Sequence, residues 1–189
     1  MPSKVRVGLV GSQFISSIHA DALQSCADAE LLAIASPTEA HVKEFADRFG
    51  IPHRFTDYRA MLELADLDMI VIGAPNRLHC QITLDAALAG KHVVCEKPLC
   101  MNLGEADSMI EACDLANVKL MYAEALCFAP KYVRLKKLLD DGEVGYLELG
   151  QVLQGYGVMA LAQDDDGEVV VAPVAEQTRQ EQGIAFGAG

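Results

Sequence analysis

Short apolar runs recur between Val5 and Ala123, each followed by a longer amphipathic stretch, and no other feature of the chain restricts its fold as much. Runs at residues 5–10, 29–35, 69–73, 92–95 and 119–123, with a shorter one at 54–55, have the length and composition of strands buried on both faces. Between them the spacing predicts helices over 15–24, from Ser36 to Gly50, from Asp57 to near Leu64, over 78–89 and over 102–117. Strands alternating with helices require right-handed crossovers and hence a parallel sheet. Two helix starts carry the pattern of a capping box: Ser36-Pro37-Thr38-Glu39, with proline expected at the first helical position, and Asn102 with Glu105.

After Pro130 a further helix is expected to Asp141, stopped by Gly142, and then the pattern changes. Residues 146–153 read as a strand, and 158–162 and 168–174 as a hairpin about Asp164-Asp165-Asp166-Gly167. The aspartate run lacks the alternate-position spacing of a calcium loop, and no metal is expected. Residues 177–189 show no periodicity and are read as a loose end.

Composition narrows the function. A formal charge of -12 over 189 residues leaves only a short basic run, Lys131 to Lys137, read as the solvated face of a helix, so nucleic acid is not an expected partner. Six cysteines contain no C-x-x-C pair, which points to reduced, mostly buried thiols and not to a disulfide frame or a zinc site. No apolar run is long enough to span a bilayer and no leader pattern opens the chain, so the expected location is the cytoplasm.

In an open parallel sheet, ligands bind outside the carboxyl ends of the strands, and the chemistry-bearing residues collect there. Gly11-Ser12-Gln13-Phe14-Ile15 turns the first strand into a helix, where backbone N-H groups and the helix dipole favour a phosphate. The dinucleotide fingerprint wants glycines two and five residues after Gly11, and Gln13 and Ser16 stand there instead. Ser36 closes the second strand, where an acidic residue would bind a ribose 2'-hydroxyl; serine leaves both NAD and NADP open, and helix capping is its competing role. Gly73-Ala74-Pro75-Asn76-Arg77-Leu78-His79 forms an extended turn in which Asn76 faces a nicotinamide ribose and His79 is either a ligand contact or a helix-start residue bonded to backbone. His19 reads as a satisfied, partly buried histidine. Glu96-Lys97-Pro98 follows the fourth major run, residues 92–95, with Pro98 restricting the exit of Lys97; the competing reading is a solvated loop pair.

With GLVGSQFISSIHA, GAPNRLH, AGKHVVCEKPL and EALCFAP in this order and spacing, residues 5–153 resemble the Gfo/Idh/MocA oxidoreductases, the family of glucose-fructose oxidoreductase and inositol dehydrogenase. The resemblance implies an α/β fold: a doubly wound parallel-sheet Rossmann domain (1–125), a connecting helix and first strand of a substrate domain (126–153), and a short β-rich remnant with a tail (154–189). It further implies NAD or NADP as cofactor, bound by Gly11, Ser12, Gln13, Phe14, Ile15, Ser36, Pro75, Asn76, His79, Glu96, Lys97 and Glu124, with Lys97 as the catalytic lysine. Cys127 stands where the family often has arginine.

Family members continue into a large antiparallel sheet that supplies substrate contacts, a histidine and an oligomer interface; no histidine follows His92 in this chain. Oxidation of an alcohol carbon requires a base for the hydroxyl proton. Lysine serves as that base only when neutral, which burial favours and the Glu96 carboxylate opposes. The expected function is hydride transfer between a nicotinamide cofactor and a sugar, polyol or related carbonyl compound, in a shortened chain. The alternative is a nucleotide-binding module without turnover, or a subunit that associates with itself or a partner chain through its C-terminal strands. A methyltransferase with a similar glycine turn would explain neither E-K-P nor A-P-N.

Overall fold

The computed structural model describes residues 4–142, 149–152, 158–163 and 169–173. Two compact units divide the chain, Met1–Glu124 and Ala125–Gly189.

The first unit alternates as the apolar runs require: β1 (Val5–Val10), α1 (Phe14–Gln24), β2 (Ala29–Ala35), α2 (Glu39–Phe49), β3 (His53–Phe55), α3 (Tyr58–Leu62), β4 (Met69–Ile72), α4 (His79–Leu88), β5 (His92–Glu96), α5 (Leu103–Leu115) and β6 (Leu120–Ala123). All pairings are parallel, and the six strands lie in the order β3-β2-β1-β4-β5-β6. Because successive side chains of a strand point to opposite faces, each strand feeds two cores. Val7 and Leu9 of β1, Ile34 of β2 and Val71 of β4 pack with Ala20 of α1 and Val42, Phe45, Ala46 and Phe49 of α2. Val10, Ile70, Ile72, Val93 and Cys95 point the other way, onto Met61, Leu62, Ile82, Ala86 and Met109 of α3, α4 and α5. This two-sided burial is the doubly wound α/β arrangement.

The helix starts separate the two expected capping boxes. At α5 the Asn102 Oδ1 accepts the Glu105 N-H at 3.0 Å, and the Glu105 carboxylate reaches back to the Met101 N-H at 2.9 Å. At α2 the box does not form: the helix begins at Glu39, Thr38 occupies the cap position without a side-chain bond, and Pro37 lies before the helix. The Ser36 hydroxyl is drawn to Ser12 on the neighbouring strand end instead, at 2.9 Å.

In the second unit, α6 (Pro130–Asp140) begins with proline, and its basic run is tied to its own acidic residues through the pairs Lys136–Asp140 and Lys137–Asp141. β7 (Leu149–Val152), β8 (Val158–Gln163) and β9 (Val169–Pro173) pair antiparallel in that order. The strands of the expected hairpin are thus present; its turn at Asp164 to Gly167 and the tail from 177 lie outside the described residues. Among the described residues no helix is long and apolar enough to cross a membrane.

The amino-terminal edge of the sheet is held by charge. Arg6 on β1 donates to both carboxylate oxygens of Asp68, at 3.0 and 2.9 Å, and the Asp68 carboxylate also accepts the Arg6 N-H at 2.8 Å. The Arg6 hydrogen bond holds the Asp68 carboxyl below its usual range. A depressed folded value means stability that is fully present above the unfolded aspartate value, near 4, and is lost as pH falls through the lower, folded value. Urea unfolding midpoints should therefore decline below about pH 4, and Asp68→Asn should flatten that decline while lowering the midpoint at pH 7.

Candidate active site

The sheet order places a reversal between β1 and β4. From β1 the chain crosses toward β2, and from β4 toward β5, so a crevice opens between their carboxyl ends. Gly11 enters it with φ +113°, a region that favours glycine, and a Cβ there would lie 2.7 Å from the Gly73 carbonyl oxygen. The Gly11 N-H donates to the Ala35 carbonyl at 2.8 Å, and the Gly73 N-H to the Val10 carbonyl at 2.8 Å, which fixes this close approach. Ser16, where the fingerprint has its last glycine, packs against the bare α-carbon of Gly73; a Cβ on Gly73 would meet the Ser16 Oγ at 2.8 Å. Space usually gained by a glycine in the helix is gained here by one on the neighbouring strand. The Ser16 hydroxyl is buried with no partner.

Gln13 caps α1 through its backbone alone, and the first turn carries no acidic residue. Gln13 and Phe14 are exposed and Ile15 is half-buried, so the helix start is open at the crevice, as an anionic ligand needs. Ser12 donates to the buried Ser36 at the end of β2. The Ser36 N-H donates to the Phe55 carbonyl at 3.1 Å, and no carboxylate joins this pair of hydroxyls.

Across the crevice, a 3-10 turn at Asn76–Leu78 follows Pro75, and Pro75 and Asn76 are exposed. His79 is not available to a ligand. It is fully buried, with Nε2 at 2.8 Å from the Ala74 carbonyl oxygen and Nδ1 at 3.0 Å from the Pro98 carbonyl oxygen. Its place as first residue of α4 points the ring between the two loops, and it ties the Ala74 turn to the Glu96-Lys97-Pro98 segment.

Glu96 is the last residue of β5 and buried, so the competing reading of a solvated loop pair does not hold for it. One carboxylate oxygen lies 2.8 Å from His19 Nε2, and the other accepts the Lys97 N-H at 3.0 Å. Lys97 is exposed, and the Lys97–Pro98 peptide is cis. The hydrogen bond that Glu96 makes with Lys97 is thus to its backbone. Register pairs Glu96 with Ala123, which puts the half-buried Glu124 at the same edge of the sheet.

The family model of oxidoreductases with an NAD-binding Rossmann fold, Gfo/Idh/MocA, matches residues 5–124. The chain belongs to this family. It is 31% identical over 141 residues to myo-inositol 2-dehydrogenase of Thermotoga maritima, covering 75% of this chain and 42% of that protein. Similarity to the scyllo-inositol 2-dehydrogenase (NADP(+)) of Bacillus subtilis is 32% over 135 residues, 71% of this chain and 41% of that one. Among solved structures, levoglucosan dehydrogenase in complex with NADH and levoglucosan superposes with a TM-score of 0.73 at 30% identity, over 76% of this chain and 41% of that chain. The chain thus spans about two-fifths of the length of the relatives it matches.

His19, on α1, is the satisfied, partly buried histidine that the sequence suggests; its partner is Glu96, 77 residues away. One further feature of this Gfo/Idh/MocA chain departs from sequence expectation. The cysteines are all free but not mostly buried: Cys95 and Cys113 are buried, whereas Cys26 and Cys127 are exposed. Burial pushes the Cys95 thiol up to about 12, so it packs as an inert apolar group beneath the site.

Because His79 joins two loops without facing the crevice, its loss registers as stability. His79→Ala should lower the unfolding free energy by about 2–4 kcal/mol in urea titrations, from the cavity and the lost contacts with the Ala74 and Pro98 carbonyls together. An unchanged midpoint would remove it from this role.

Proposed function

We propose that this chain is the cofactor-binding part of an NAD(P)-dependent oxidoreductase acting on a sugar, a polyol or a related carbonyl compound. The observation that carries the reading is the position of Lys97: exposed, at the carboxyl end of β5, across the reversal from the open helix start at Gln13. Gly11 and the N-H groups at the start of α1 would hold the pyrophosphate, with Ser12, Gln13, Phe14 and Ile15 around it. Ser36 would meet the adenosine ribose, Pro75 and Asn76 the nicotinamide ribose, and Glu96, Lys97 and Glu124 the nicotinamide end. A nicotinamide dinucleotide supplies a hydride acceptor or donor when bound. In its neutral form the Lys97 amine would take the substrate hydroxyl proton in the oxidative direction, and the resulting ammonium would return that proton in reduction. The relatives include inositol and levoglucosan dehydrogenases, which supports a polyhydroxylated substrate.

A second reading, a subunit that completes its site with another chain, is favoured by the three-stranded sheet. Among the described residues its outer strands β7 and β9 each pair on one side only, and such edges invite association. Free cysteines throughout support a reducing compartment, and hence the cytoplasm, for either reading.

Titration with NADH and NADPH, followed by nucleotide fluorescence, tests the cofactor site; no response to either at millimolar concentration would end both readings. Turnover with a polyol panel separates them: Lys97→Ala should lower kcat by at least about 100-fold while leaving NADH binding within a few-fold. At the adenosine end, Ser36→Asp should favour NADH over NADPH by about tenfold or more, because a carboxylate accepts from a ribose hydroxyl and repels a phosphate. An unaltered NADH to NADPH ratio would move the ribose away from Ser36.

A further inference from the structure

We infer that His19 is a positioning residue that sets the geometry of Lys97 through the Glu96 carboxylate, and so couples the phosphate-binding helix to the nicotinamide end of the crevice. The inference rests on the proposed cofactor site. Its basis is that both oxygens of one buried carboxylate are assigned, and to different elements.

Glu96 Oε1 lies 2.8 Å from His19 Nε2, and Oε2 accepts the Lys97 N-H at 3.0 Å. The Glu96 side chain is 10% exposed and that of His19 is 22% exposed, so water competes poorly for either contact. A buried carboxylate that loses a partner must turn toward another donor or toward solvent. Here any such turn also withdraws Oε2 from the Lys97 amide. The Lys97 peptide is thereby held from one side by the imidazole of α1, and from the other by the Pro98 carbonyl contact with buried His79.

His19 stands on the helix whose open start is the proposed pyrophosphate site, six residues beyond the Gln13 cap. The hydrogen bond to Glu96 is the side-chain link from this helix to the end of β5. Helix position and Lys97 direction are thus set together. The Nε2-H of His19 donates in either charge state of the ring, provided the neutral ring carries its proton on that nitrogen, and a glutamine amide can supply an equivalent donor at similar reach.

The test compares NADH with ADP-ribose, which carries the same phosphates and adenosine but no nicotinamide. Both affinities are measured on the full chain, with ADP-ribose read by calorimetry. His19→Ala should weaken NADH about tenfold, because the released Glu96 carboxylate and the shifted Lys97 main chain disturb the nicotinamide end in a way that truncating the Lys97 side chain does not, while leaving ADP-ribose within about twofold; His19→Gln should restore most of the NADH affinity. Glu96→Gln, which keeps the shape and removes the charge, should fall between them. Equal weakening of both ligands by His19→Ala would show that His19 merely supports the phosphate-binding helix, and unchanged affinities would show no coupling; either result overturns the inference. A wild-type chain that binds neither ligand overturns the cofactor site itself, a separate outcome.

Discussion

The contact between Gly11 and the Gly73 carbonyl is the constraint from which the rest of the site follows. With 2.7 Å available where a Cβ would stand, only a bare α-carbon lets the ends of β1 and β4 remain neighbours while the chain turns sharply into α1. That turn aims the start of α1 across the sheet edge instead of away from it. A bulkier turn would displace the helix, and with it Ser16 from Gly73 and His19 from Glu96. One close approach between two backbones therefore fixes both ends of the crevice.

Polar groups near this edge are used structurally more than their residue types suggest. His79, an imidazole in a motif at the mouth of a cleft, spends both nitrogens on main-chain carbonyls and closes the gap between two loops. Glu96, an acid beside a lysine, holds that lysine's main-chain N-H. Such groups supply the rigidity by which an exposed side chain keeps one direction. Gln13, Asn76 and Lys97 are exposed at the same edge. The division is physical: burial makes an unbonded polar group costly, so most buried polar atoms, the Ser16 hydroxyl excepted, find partners within the protein and exposed ones remain free for others.

The chain spans about two-fifths of the relatives it matches, and its described part divides unevenly between two architectures. The first unit buries both faces of a six-stranded sheet and completes a cofactor-binding fold by itself. Among its described residues the second has one α-helix, a 3-10 turn at Ala125–Phe128 and a three-stranded antiparallel sheet.

Sequence by itself determined the order and nature of the elements, because apolar runs of strand length separated by amphipathic helices have few compact solutions. It located the crevice as well, since a parallel sheet puts its loops at one edge, and the ends of β1, β2, β4 and β5 were marked by Gly11, Ser36, Gly73 and Lys97. Local chemistry was legible where the partners are close in sequence, as in the α5 cap formed by Asn102 and Glu105 three residues apart. Only the tertiary structure decided the roles of Ser36, His79, Glu96 and His19. Each bonds to a group brought near by strand order, from 19 to 77 residues away for the contacts Ser12–Ser36, His79–Pro98 and His19–Glu96. A side chain's local pattern states what it can donate or accept, but the choice among acceptors is made by the fold that delivers them.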